Sequence, residues 1–260
     1  MTSISDSFLH SLVAGLDDEN TIGVTMGGSF ARGEGGRFSD VDLRRYIRKG
    51  PADNADSMRF VNDILVSVYS LPLEDEAENL HKPHRAIWTI PGLRQARILL
   101  DKDGSIAALI AAAMKVDWRD LQPAANDYIS HELCGRTEEI HKVLDGLERE
   151  SESKTIFATW GLSESLAKIL LVRHGVLVPT ENVFIDLAQA TAGRDSNWSR
   201  QFRLVIGLDT PPVGELPYHC IGIASLRLYR ETVSLMRPVL HPDEAIVIDR
   251  TLDVMKEAGY

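Results

Sequence analysis

Gly27-Gly28-Ser29-Phe30-Ala31-Arg32-Gly33, followed after a glycine-rich loop by Ser39-Asp40-Val41-Asp42-Leu43, is the stretch on which the fold turns. Ahead of it, Thr21–Met26 is a short apolar run with β-branched residues, which predicts a strand. The glycines and the serine stop that strand and open a tight turn. Gly28 and Ser29 can there offer backbone N–H groups and a hydroxyl to a phosphate. The chain returns to a second predicted strand, Val41–Ile47, with Asp40 and Asp42 at its start. A strand's period of two puts both carboxylates on one face.

Two carboxylates held that close repel each other. A solvated turn after Ser39 would relieve them, and so would a divalent cation. Hard oxygen ligands of this kind hold Mg²⁺ while it also binds substrate phosphates, and the upstream Gly-Gly-Ser turn favours that reading. No Lys-Ser/Thr follows the glycines, so this is not a Walker A loop, nor is it a Rossmann fingerprint. The stretch Gly27-Gly28-Ser29…Asp40-Val41-Asp42, with Ala31-Arg32-Gly33 and Ser39-Asp40, resembles the signature of the DNA polymerase β-like nucleotidyltransferase superfamily.

The resemblance implies an α+β chain. An N-terminal mixed sheet flanked by helices (1–123) would be the catalytic domain, and an all-helical domain (124–260) would follow. It implies Mg²⁺, with ATP or another NTP as substrate. Asp40 and Asp42 would be catalytic metal ligands, and Gly28, Ser29 and Arg32 would hold the nucleotide. A third metal carboxylate usual in the superfamily is missing from the next apolar strand, 64–70. Its Val66-Ser67-Val68-Tyr69-Ser70 resembles the corresponding strand of kanamycin nucleotidyltransferase and puts Leu65 at the acid's position. Asp63 is the nearest acid and shares that face by parity. It is a candidate metal ligand, or else a capping or turn residue.

In order and size of parts, the chain resembles the aminoglycoside (kanamycin-type) nucleotidyltransferases. Those carry a glutamate general base on the first C-terminal helix and, four residues on, a lysine that reaches phosphate. Glu138 and Lys142 have that spacing and share a helical face, although an ordinary surface ion pair has it too. Glu132 and Glu139 compete for the base. The expected activity is transfer of a nucleoside monophosphate to a hydroxyl of a small molecule, and the resemblance implies an aminoglycoside-type antibiotic as that acceptor. The alternative is a non-catalytic nucleotide-binding or regulatory protein without the third carboxylate.

Composition agrees with such a chain. At 260 residues and 44 % apolar, it can hold one large domain or two small ones. A net charge of −10 makes nucleic acid an unexpected partner. Cys134 and Cys220 stand far apart and suggest a reducing, cytoplasmic setting. No signal peptide or membrane span is read, and the best apolar run, 106–114, reads as a core helix. A homodimer stays open.

The remaining expectations are simpler. Residues 3–15 read as a helix, with His10 at its surface. Arg44, Arg45, Arg48 and Lys49 could meet phosphates, but read more simply as a solvated basic edge. Glu74, Asp75, Glu76 and Glu78 read as a solvated helix start. His81 and His84 read as loop residues, and 85–90 as a strand that turns at Pro91-Gly92. Residues 124–150 read as helical. Trp160, Phe157, Phe184, Trp198 and Tyr229 read as core aromatics.

Overall fold

The computed structural model describes residues 4–48 and 57–260. Lys49 and the connection expected at 50–56 lie outside the described residues. The chain divides into two compact units. The first is Met1–Asp120 with Leu177–Thr180, and the second is Leu121–Val176 with Glu181–Tyr260.

In the first unit, α1 (Asp6–Ala14) leads to β1 (Thr21–Met26), the short α2 (Gly28–Ala31) and β2 (Val41–Ile47). Then come β3 (Ser57–Val61), β4 (Ile64–Pro72), α3 (Leu73–Asn79), α4 (Pro83–Gln95), β5 (Arg97–Asp101) and α5 (Ser105–Lys115). The strands form one mixed sheet in the order β3-β4-β2-β1-β5. β2 runs parallel to β4 and antiparallel to β1, which in turn runs antiparallel to β5.

Alternation divides this sheet by face. Val24, Met26, Val41, Leu43, Val66 and Val68 are buried with Leu9, Leu12 and Leu16 from the α1 segment. Asp42, Arg44 and Tyr46 point to the opposite face and line a cleft there with Thr25, Ser67 and Tyr69. Gly23 is required where α5 meets β1. A Cβ at that position would lie 2.4 Å from Ile106 Cγ1 and 2.6 Å from the Leu100 carbonyl.

Arg45 shows how alternation corrects the expected solvated edge. It is one residue from Arg44, so it points to the other face, and it is only 2 % exposed. It donates to Thr21 Oγ1 at 2.7 Å and to Asp18 Oδ2 at 2.5 Å. The bulge between Thr21 and Gly23 brings Thr21 to that side. Only Arg48 of the described arginines in this run stays exposed.

Another expectation changes. Residues 85–90 are helical, inside α4, and are not a strand. Pro83, Ala86, Ile87, Ile90 and Leu93 are buried at helical spacing. Pro83 occupies the first turn, where its missing N–H costs nothing. Pro91 sits inside the helix and cannot donate to the Ile87 carbonyl. Val178 N–H takes that carbonyl instead, at 2.7 Å. This bond ties Leu177–Thr180 to the first unit, and Pro179 and Thr180 line the cleft.

The strand expected at 64–70 is β4, and it forms a hairpin with an unforeseen strand, β3. β3 pairs with β4 from Ser57↔Val68 to Val61↔Ile64. Asn62 and Asp63 make the turn at φ 50° and 60°, the left-handed pair of a type I′ turn. Asp63 is exposed there.

The second unit is helical, as expected. It begins within α6 (Trp118–Gly135), which runs on through Pro123. α7 (Thr137–Glu148), α8 (Glu152–His174), α9 (Phe184–Ala192), α10 (Asn197–Val205), α11 (Pro217–Met236) and α12 (Pro242–Glu257) follow. Gly146 and Gly222 let α7, α8 and α11 approach closely. A Cβ at Gly146 would lie 2.5 Å from Thr155 Oγ1, and one at Gly222 would lie 2.7 Å from Thr155 Cγ2.

Trp198 and Tyr229 are core aromatics, at 1 % and 0 % exposure. Trp198 Nε1 donates to Thr232 Oγ1 at 2.9 Å, and Tyr229 donates to the Leu133 carbonyl at 3.3 Å. Phe157 and Trp160 are not core residues, since they are 69 % and 75 % exposed on α8. α8 is also long and apolar enough to cross a membrane by length and composition, although 61 % of its most apolar window is buried.

A type I′ turn accepts glycine better than aspartate at its second position. Asp63→Gly is therefore expected to leave the melting temperature unchanged or raise it. A clear fall in thermal melts would mean that Asp63 makes contacts beyond the turn.

Candidate functional site

The site grows from the end of β1. Gly27 N–H donates to the Asp42 carbonyl at 2.9 Å, which extends the β1–β2 ladder by one bond. Gly28 then turns at φ +64°, a left-handed conformation, and opens α2. Its backbone rests on the Asp42 side chain. A Cβ there would lie 1.8 Å from Asp42 Oδ2, so no residue with a side chain fits without moving that carboxylate. Glycine is thus demanded twice, by conformation and by contact.

Asp40 ends the preceding loop, and Asp42 is the second residue of β2. Burial and then the neighbouring Asp40 push the Asp42 carboxyl up to about 6, while Arg32 and Arg44 pull the other way. Arg32 follows α2 and donates through Nε to Glu34 at 2.7 Å. The cleft, of about 280 Å³, is lined by Gly27, Gly28, Arg32 and Asp42. Gly92, Leu93, Gln95 and Ala96 from the end of α4 complete its wall.

Of the cleft residues, Ser67 and Tyr46 escaped the sequence reading, and Arg44 was expected on a solvated edge. Ser67 is paired with Asp42 across the parallel β2–β4 ladder. A neutral hydroxyl therefore stands beside the aspartate. Leu65 and then Asp63 lie farther toward the hairpin turn, so the structure does not bring Asp63 to the pair. Among the described residues, no three His, Cys, Asp or Glu side chains gather as a metal cage. Arg44 and Tyr46 line the cleft as well. Both follow Asp42 on its face of β2, and period-two alternation from Asp42 was the signal that could have found them.

Glu76 stands behind Arg44. The acidic run on α3 is not uniformly solvated, because Glu76 is only 2 % exposed and accepts a hydrogen bond from Arg44 Nη1. Such a buried carboxylate needs its cation, since removing one partner leaves an uncompensated charge.

Glu138 and Lys142 lie on α7 in the second unit. They pair at 2.9 Å, and Lys142 also meets Glu139 at 2.9 Å. Hydrogen bonding to Lys142 holds the exposed Glu138 below the usual glutamate range.

No family model and no curated protein matches the sequence. Among solved structures, the chain is similar to a nucleotidyltransferase-like protein from Exiguobacterium sibiricum. The TM-score is 0.53 at 13 % identity, over 98 % of this chain and 81 % of that one. The two share a fold. At this identity the likeness speaks for architecture, and activity has to be argued from the cleft.

Asp42 gives a pH signature. Its folded value of about 6 lies above the ordinary 3.8. The folded state therefore holds the proton more tightly, and stability falls as pH rises from about 4 to about 6. The cost is complete above that window, on the order of 2–3 kcal/mol. Asp42→Asn removes it. The variant is expected to melt several degrees higher than wild type near neutral pH, with the gap closing toward about pH 4. Thermal melts without divalent cations across that range test this, and a gap independent of pH would contradict it.

Proposed function

We propose that this chain transfers a nucleoside monophosphate from a Mg²⁺-bound nucleoside triphosphate to a hydroxyl of a small molecule, releasing pyrophosphate. The observation that carries this reading is the Gly28 turn seated against the Asp42 carboxylate, with Asp40 beside it. It joins a phosphate-accepting backbone to a hard, anionic donor pair. The likeness in fold to a nucleotidyltransferase-like protein agrees with it.

The donor set fits a metal that arrives with its nucleotide. Asp40 and Asp42 would hold Mg²⁺, with phosphate oxygens and water as its other ligands. When bound, the metal supplies charge neutralisation at the transferring phosphoryl group. Gly28 and Ser29 would hold the outer phosphates through N–H groups and the hydroxyl, and Arg32 would add positive charge. With the metal bound, Asp40 and Asp42 would help to orient the α-phosphate. The acceptor oxygen forms a bond to the α-phosphorus while the bond to the α,β-bridging oxygen breaks, and the hydroxyl proton passes to a general base. Glu138 is the base that the family resemblance implies, with Lys142 on phosphate.

An aminoglycoside as acceptor is the finer part of the reading, and the cleft offers it little. Arg32 and Arg44 line the cleft, and Asp42 is the acid among its lining residues. A second reading, a nucleotide-binding protein without turnover, is favoured by Ser67 standing beside Asp42 and by the absence of a third carboxylate among the described residues.

Pyrophosphate release from Mg²⁺-ATP with a panel of hydroxyl acceptors separates the two. Turnover is expected, and Asp42→Asn should abolish it while the fold is kept. Tight Mg²⁺-ATP binding without pyrophosphate for every acceptor would favour the binder, and turnover retained in Asp42→Asn would contradict the site. Glu138→Gln is expected to lower turnover by about 10²–10⁴, with nucleotide affinity little changed. Normal turnover would remove Glu138 as the base.

A further inference from the structure

Beyond Asp42, the face of β2 continues into the cleft with Arg44 and Tyr46. Successive same-face residues on a strand are about 6.6 Å apart. Arg44 pairs with Thr25 of β1, whereas the Gly27–Gly28 turn meets Asp42. The glycine turn and the Arg44–Tyr46 pair therefore flank Asp42 from opposite sides.

Two features of this second region are unusual. Arg44 is fixed from behind by the buried Glu76, yet its side chain remains 38 % exposed in the cleft. Its guanidinium carries five donors in a rigid fork, and the bond to Glu76 uses one of them. Tyr46 is fully buried, and its hydroxyl has no hydrogen-bond partner. Thr25 and Arg44 are its polar neighbours. An unsatisfied buried hydroxyl is costly, and an incoming oxygen acceptor would satisfy it.

We propose that Arg44, held by Glu76, and the Tyr46 hydroxyl form a subsite for a phosphate group on the acceptor molecule. The chemistry at this spot is donor-rich: a guanidinium, a phenol and the Thr25 hydroxyl converge, with Ser67 and Tyr69 alongside. A phosphate monoester offers three strong acceptor oxygens and close to two negative charges. Arg44 is its natural partner, because a guanidinium can grip two of those oxygens at once. The assignment to the acceptor rests on the nucleotidyl-transfer reading. In-line displacement puts the entering oxygen opposite the departing pyrophosphate. With the outer phosphates on the Gly28–Ser29 turn, the entering molecule comes from the Arg44 side. The acceptor is then a phosphorylated hydroxyl compound, not a polycation.

The test titrates inorganic phosphate into the full-length protein by calorimetry, alone and with saturating Mg²⁺ and the α,β-methylene analogue of ATP. Wild type is expected to bind phosphate together with the nucleotide analogue. Arg44→Lys and Tyr46→Phe should each weaken phosphate by about tenfold or more while leaving the analogue's affinity unchanged. Thermal melts of both variants beside the titration separate lost binding from misfolding.

No phosphate binding by wild type, or binding untouched by both variants, overturns the subsite. Competition between phosphate and the nucleotide analogue would give the anion to the nucleotide and overturn the acceptor assignment. If the analogue itself fails to bind, the transfer reading fails. The titration without nucleotide then judges the subsite by itself: phosphate held through Arg44 and Tyr46 keeps it, and no binding removes it.

Discussion

The contact between the Gly28 backbone and the Asp42 carboxylate is the constraint on which the site depends. It requires a residue without a side chain, in a left-handed conformation, at the point where β1 ends. It also fixes where the turn's N–H groups stand relative to the acid. Two strands, one glycine and one aspartate thereby place an anion-seeking backbone beside an anion. The combination is unfavourable for the protein alone, because burial and Asp40 both resist ionisation of Asp42. A cation carrying phosphate would satisfy both halves at once. Residues kept at a cost to the fold are commonly those that bind or react.

The rest of the first unit serves to hold that arrangement still. Apolar residues on one face of the sheet fix β1, β2 and β4 against the α1 segment. The other face is thereby left for polar groups in one register. Ion pairs are sorted by the same alternation. Arg45 is committed to Thr21 and Asp18 on the packed side, while Arg44 is committed to Glu76 on the cleft side. Adjacent arginines thus have unrelated tasks. Pro91 contributes by what it lacks, since the carbonyl it leaves unclaimed on Ile87 anchors Val178 and with it the Pro179–Thr180 wall of the cleft.

Local chemistry decided which parts were legible in the sequence. The β1–turn–β2 core could be read because glycine, β-branched residues and paired aspartates each have a short-range physical meaning. The helical second unit could be read from apolar spacing. α4 could not, because Pro91-Gly92 looks like a turn when only neighbours are considered, and the helix survives through tertiary burial of Ile87, Ile90 and Leu93. The β3–β4 hairpin was missed because Asn62-Asp63 is a weak turn signal without glycine. Glu76 was hidden inside an acidic run whose other members point to water or the surface. Its partner Arg44 lies far back in the chain, and no local pattern links them. Phe157 and Trp160 were misassigned because an aromatic on a long apolar helix carries no mark of which side faces inward.

The most direct test of this account is a crystal structure with Mn²⁺ and the α,β-methylene analogue of ATP, with the metal located by its anomalous scattering. One manganese is expected between Asp40 and Asp42, with the outer phosphates on the N–H groups that follow Gly28. A metal bound elsewhere, or a nucleotide seated away from the Gly28 turn, would contradict it.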